Sequence, residues 1–269
     1  MQLFYPLIYK GHPCKMSIDI FFKGDNFMIT LAGIIGSGKS SMTEILSQEL
    51  GSRPFFEPVD DNPVLPLFYK GNEIAAKKRA AGDKEATNPY TYLLQTFFVN
   101  RRFRMIKDAK QNENNILDRS IYEDALFMKM NTDMGNATAV EYATYQELLQ
   151  NMLDELKYTT GNDSQDLMIF IKVSYDTMLK RIRKRGRDFE QIETDPSLVE
   201  YYHQLLKYYE WWLKWYDKSP LMVIDGDKYD FVDNLTDRNL WLDKIEDKLV
   251  ELNHLSLEKA AILKAKRHH

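Results

Sequence analysis

Residues Met28-Ile29-Thr30-Leu31-Ala32 form a short apolar run that breaks at Gly33, and Gly38-Lys39-Ser40 follows after four intervening residues. That is the G-x-x-x-x-G-K-S pattern of a phosphate-binding loop. Gly33, Gly36 and Gly38 let the backbone curl close to a phosphate without Cβ clashes. Successive N–H groups across Gly33, Ile34, Ile35, Gly36, Ser37, Gly38, Lys39, Ser40 and Ser41 then face inward as an anion nest at a helix N-terminus, whose dipole adds positive potential. Lys39 supplies a mobile charge for the outer phosphates, and Ser40 offers a hydroxyl to a magnesium ion. An amphipathic helix follows, with Met42, Ile45, Leu46 and Leu50 apolar and Gly51 able to end it. The stretch predicts binding of a nucleoside triphosphate but does not say where the phosphate goes.

Around this loop, strand patterns alternate with helix patterns. Strands are expected at 28–32, 53–56, 115–118, 167–173 and 221–225, and helices at about 89–112, 119–130, 138–157, 175–184, 196–216 and 235–252. The alternation predicts an α/β fold of the P-loop kinase type, a five-stranded parallel sheet with helices on both faces. Residues 70–88 are small and charged, and read as a solvated loop with at most a helical turn. The aromatic stripe over 201–216 reads as helix packing. Residues 253–269 read as a frayed tail. Residues 1–27 mix aromatics, prolines and charges without a period, so the domain is expected over 28–252. Lys23-Gly24-Asp25-Asn26 can be encoded by a purine-rich ribosome-binding sequence just ahead of Met28, which suggests a translated leader with Met28 as the functional start.

The formal net charge of −4 argues against general nucleic-acid binding. The single cysteine, Cys14, excludes an internal disulfide and suits a reducing cytoplasm. No apolar run approaches the roughly 18 residues of a membrane span, and no signal peptide is evident.

Ligands of parallel α/β folds sit at the carboxyl ends of the strands, and Gly33, Glu57, Asp118 and Gly226 all stand there. Glu57 can take a proton from a substrate hydroxyl, or can be a solvent-exposed acid. Asp118 can hold magnesium, act as the base, or cap the next helix; Arg119 can bridge phosphates or lie on the surface. Arg181, Arg185 and Arg187, with a glycine hinge at Gly186, suit a mobile lid over a triphosphate, because each guanidinium binds phosphate oxygens two at a time. A basic surface helix or a nucleic-acid patch would carry the same residues. Gln95 joins a donor and an acceptor that match a nucleobase edge, although an isolated helical Gln is more often solvated; Arg102 lies seven residues on, near the same helical face.

From Met28 to about Leu252 the chain resembles the deoxyribonucleoside kinases, above all the bacterial deoxyadenosine/deoxyguanosine kinases and more distantly the animal deoxycytidine and deoxyguanosine kinases. The resemblance rests on Gly33 to Ser40, Glu57-Pro58-Val59-Asp60-Asp61-Asn62-Pro63-Val64-Leu65, Phe68-Tyr69, Gln95, Asp118-Arg119-Ser120-Ile121-Tyr122-Glu123-Asp124, Ser174 to Arg181, Arg185-Gly186-Arg187 with Glu190, and Asp225-Gly226-Asp227, in family order. It implies ATP-dependent phosphorylation of the 5′-hydroxyl of a purine deoxynucleoside, deoxyadenosine first and deoxyguanosine second, with magnesium. Glu57 would take the hydroxyl proton, with Asp118 as the other candidate or as the magnesium ligand. Arg119 would hold Glu57 and the phosphates, and Tyr69 and Glu190 the sugar 3′-hydroxyl. Gln95, Arg102 and Asp124 would read the base. Arg181, Arg185 and Arg187 would form the lid, and backbone near Asp227 would lie against the adenine of ATP. A homodimer, or a heterodimer with a related subunit, is implied. Residues 71–87 read longer than the family's usual link, residues 1–27 have no counterpart, and Asp118 stands where many animal relatives carry Glu. A nucleoside monophosphate kinase, or a non-catalytic ATP-binding regulator, is the alternative reading of the same loop.

Overall fold

The computed structural model describes residues 27–57, 62–111, 114–160 and 165–268. The chain runs through β1 (Met28–Ala32), α1 (Lys39–Leu50), β2 (Arg53–Phe55), α2 (Leu65–Ala80), α3 (Thr91–Lys110), β3 (Asn115–Asp118), α4 (Ile121–Asp133), α5 (Ala139–Thr160), β4 (Leu167–Lys172), α6 (Tyr175–Arg185), α7 (Ser197–Trp215), β5 (Leu221–Asp225), α8 (Leu235–Glu251) and α9 (Leu257–Arg267). The five strands form one parallel sheet in the order β2-β3-β1-β4-β5. Every residue of β1 and β3 is buried, as expected for strands covered on both faces. Ile29, Leu31 and Ile116 join one core with Leu46 of α1, Tyr202 of α7 and Ile245 of α8. Met28, Phe55 and Leu117 join a second with Val99 of α3, Met128 of α4 and Tyr145 of α5. The register sets Asp118 beside Leu31, two residues before the phosphate loop.

Three expectations are corrected. Residues 70–80, read as solvated loop, continue α2. Ala, Lys and Arg favour helix intrinsically, and the inward positions are small or polar: Gly71, Asn72 and Ala75 are buried. Asn88 locks them, its Nδ2 donating to the Phe68 carbonyl at 2.8 Å and to Asn72 Oδ1 at 2.6 Å. A stripe without large apolar residues carries no periodic signal to read. The expected frayed tail instead holds α9, whose Arg267 side chain is 5% exposed and pairs with Glu49 of α1 and with Asp243 and Glu246 of α8. Phe27, assigned to the leading segment, is buried in the first core, and its carbonyl accepts the Asn115 N–H at 2.9 Å. Residues 1–26 of the suggested leader, 1–27, lie outside the described residues. The aromatic stripe of α7 divides: Tyr201, Tyr202, Tyr209 and Trp212 are buried, whereas Trp211 and Trp215 are exposed. No helix among the described residues is long and apolar enough to cross a membrane.

Candidate active site

The loop after β1 has the backbone its glycines require. Gly33 has φ +141°, and a Cβ there would lie 2.5 Å from the Ile171 carbonyl; Gly38 has φ +104°. Lys39 opens α1 and turns back over the loop, its Nζ donating to the carbonyls of Gly33 at 2.9 Å and Ile34 at 3.0 Å. Burial, with Arg119 close by, brings its ammonium down to about 8. Ser40 Oγ donates to Asp118 Oδ2. The other oxygen, Asp118 Oδ1, is buried without a protein partner, and burial pushes this carboxyl above the usual range. A hydroxyl beside a half-satisfied carboxylate, next to the loop, is a donor set that suits magnesium bound mainly through phosphate and water.

A cavity of about 390 Å³ opens beside this cluster, within the range of small-molecule sites. Ile35, Gly36, Lys39 and Ser40 line it from the loop and the start of α1, and Glu57, Tyr69, Gln95, Asp118, Arg119, Asp124 and Glu190 supply the rest of its polar lining. Phe56, Leu65, Phe68, Leu94, Phe98, Phe127, Tyr201 and Leu205 supply apolar wall, and Arg185 and Arg187 the rim. Glu57, Gln95 and Arg119, 62 residues apart at the extremes of sequence, thus share one cavity with Lys39.

Charge in the cavity is tightly compensated. Glu57 Oε1 lies 2.9 Å from Arg119 Nε and 2.9 Å from Arg102 Nη2. Burial opposes its ionisation, but Arg119, Arg102 and Lys39 together outweigh that and hold the carboxyl at about 2. Arg102, 1% exposed, grips Asp124 through Nε at 2.7 Å and Nη2 at 3.3 Å. Burial lifts Asp124 to about 6 against the pull of Arg102. Burial and the neighbouring Glu190 raise the Tyr69 hydroxyl, whose ring sits 5.3 Å from that of Phe189.

Several expected residues stand elsewhere. Arg102 is behind the cavity wall rather than lining it, held by Asp124 and Glu57. Arg181 braces the loop, donating to the Ser37 carbonyl at 2.6 Å and the Gly226 carbonyl at 2.9 Å. Asp227 lies outside the cavity, accepting from the Ser174 N–H at 2.9 Å and the Ser174 hydroxyl at 3.0 Å. Gly33, Ile34, Ser37, Gly38 and Ser41 belong to the loop without lining the cavity. Arg185 and Arg187, on either side of left-handed Gly186 (φ +74°), both pair with Glu190, which is 2% exposed.

Two contributors escaped the sequence reading. Glu123 is fully buried and Tyr209 nearly so, and both bond Arg119: Nη1 lies 3.3 Å from Glu123 Oε1 and donates to Tyr209 Oη at 2.8 Å. Ser120-x-x-Glu123 is a capping-box pattern, and both halves form; that signal was legible. Nothing in the stripe of tyrosines on α7 distinguishes Tyr209.

The family profile described as "Deoxynucleoside kinase" matches residues 29–251. A deoxyguanosine kinase of Lactobacillus acidophilus is 53% identical over 231 residues, 86% of this chain and 94% of that protein. A deoxyadenosine kinase of the same organism is 50% identical over 230 residues, 85% and 99% of the two chains. Among solved structures, deoxyadenosine kinase from M. mycoides with bound dATP is similar with TM-score 0.61 and 32% identity, over 81% of this chain and 98% of that one.

Proposed function

The chain belongs to the deoxynucleoside kinase family, and we propose that it moves the γ-phosphoryl of ATP to the 5′-hydroxyl of a purine deoxynucleoside, deoxyadenosine first and deoxyguanosine second. The observation that carries this reading is the meeting of Glu57, Arg119, Gln95 and Lys39 around one cavity sized for a nucleoside. Similarity to deoxyguanosine and deoxyadenosine kinases at nearly equal identity supports a purine.

The triphosphate lies along the loop amides and Lys39, with Arg185 and Arg187 closing from the rim. Ser40 and Asp118 would hold magnesium, and the ion would supply charge neutralisation on the phosphates when bound. Glu57 faces the acceptor side and takes the 5′-hydroxyl proton. Its low pKa keeps it ionised, and a loose transition state asks for positioning more than for a strong base. Asp118, engaged by Ser40 on the phosphate side, is the weaker candidate for that role. Tyr69 and Glu190 hold the sugar. Gln95 reads the base edge, with Asp124 fixed by Arg102. Closure keeps water from competing as acceptor. We read the protein as cytoplasmic and homodimeric; light scattering at the monomer mass would overturn the dimer.

The test is a panel of the four deoxynucleosides and dAMP with labelled ATP. Turnover of deoxyadenosine or deoxyguanosine is expected. Turnover of thymidine alone would remove the base-reading assignment, and turnover of dAMP alone would make the protein a monophosphate kinase.

A further inference from the structure

The geometry points to Glu123 as a positioning residue for phosphoryl transfer, acting through Arg119 together with Tyr209. The inference rests on the reading of the cavity as a deoxynucleoside kinase site. Glu123 caps α4, and that task needs only one of its oxygens: Oε2 accepts the Ser120 N–H at 2.8 Å. The other oxygen serves a different set of partners. Oε1 accepts the Gly33 N–H at 3.1 Å and the Tyr209 hydroxyl at 2.7 Å, and lies 3.3 Å from Arg119 Nη1. One carboxylate therefore ties the first residue of the phosphate loop to the arginine that touches Glu57.

Arg119 needs such a tie. Its φ is +88°, a region that residues with a Cβ rarely occupy. Such conformations persist where the surroundings over-determine them. The backbone is pinned by the Arg119 N–H donating to the Leu31 carbonyl at 2.9 Å. The guanidinium has several neighbours: Tyr209 and Glu123 at Nη1, the Glu57 carboxylate 2.9 Å from Nε, and the Phe127 ring 5.1 Å from Cζ. Tyr209 closes the circuit, since its oxygen accepts from Arg119 while its hydroxyl donates to Glu123. Removing the Glu123 charge frees the guanidinium to follow Glu57 or the phosphates alone, and the spacing between proton acceptor and phosphoryl group is no longer set. A misplacement of about 1 Å in such a site costs on the order of 10²-fold in rate.

Steady-state kinetics of Glu123→Gln, Tyr209→Phe and the double variant test this, with ATP and the best purine deoxynucleoside. Melting temperatures are measured alongside. Gln keeps the size and the cap acceptor; Phe keeps the ring packing. Each single variant is expected to lose roughly 10–100-fold in kcat with KM for both substrates changed less than about threefold. The double variant is expected to be no slower than the slower single, because groups that act as a unit are not additive. A folded Glu123→Gln with kcat within twofold of wild type overturns the inference, as does a loss that lies only in KM for ATP, or losses that multiply in the double variant. Should Glu123→Gln fail to fold, Tyr209→Phe decides alone, and unchanged kcat there overturns it. A wild-type protein that phosphorylates no purine deoxynucleoside would sink the functional reading instead.

Discussion

The cavity is closed by two charge clusters of different construction. One, in and behind its wall, joins Arg102 at 1% side-chain exposure, Arg119 at 8%, Asp124 at 2% and Glu57 at 15% by short bonds between α3, α4 and the segments that follow β2 and β3. The other, at the rim, holds Arg185 at 36% and Arg187 at 28%, both leaning on Glu190 across a glycine hinge. Buried ion pairs are costly to break because the survivor is left charged and desolvated. Half-exposed pairs contribute about 0–1 kcal/mol and exchange readily. The first cluster is thus built as fixed geometry, and the rim, on the proposed function, as charge that Glu190 can hand to a phosphate.

The largest test of this contrast is Glu57→Gln. It should lower kcat by roughly 10³-fold with ATP affinity retained in an equilibrium titration; normal turnover would move the base role to Asp118. Next, Arg102→Met should destabilise the protein by about 3–5 kcal/mol in urea unfolding, because it leaves Asp124 and Glu57 uncompensated. A loss below 1 kcal/mol would mean that the first cluster is no more rigid than the rim. Arg185→Ala should do the reverse: a roughly 10²-fold fall in kcat with a stability loss well below that of Arg102→Met, because Arg187 still pairs with buried Glu190. If its melting temperature falls as far as that of Arg102→Met, the distinction between the clusters is lost.

The smallest effect concerns protons. Lys39 sits at about 8 in the free protein, and a triphosphate beside it favours the charged form. Binding of ATP at pH 8.5 should therefore take up protons, and affinity should weaken as pH rises above 8, by at most about 1.4 kcal/mol per pH unit for one group. Calorimetry in buffers of unequal ionisation enthalpy reads this directly; identical apparent enthalpies would contradict it.

The loop, all five strands and the residues at their carboxyl ends were legible in the sequence, because an apolar run, a glycine spacing and a turn are local facts. Strand β5 matched its expected bounds, 221–225, and α6 ran one residue past its expected end. Helix α2 was not legible past Tyr69, since its buried positions are Gly71, Asn72 and Ala75 and their partner, Asn88, lies beyond the helix. Helix α9 was missed for a related reason: its anchor is a buried arginine among acids from α1 and α8, and a charged tail looks the same whether docked or free.

By itself, the sequence determined a parallel α/β sheet with a phosphate loop at its centre and acids and arginines at its strand ends, since hydrophobic period and glycine placement act over a few residues. Only the tertiary structure decided which charges pair. Arg102 turned from the cavity to Asp124 and Glu57, and Glu123 gained Gly33, Arg119 and Tyr209 beyond its helix cap. Ion pairs and buried hydrogen bonds depend on distance through space and on the loss of water around them, and neither quantity is written along the chain.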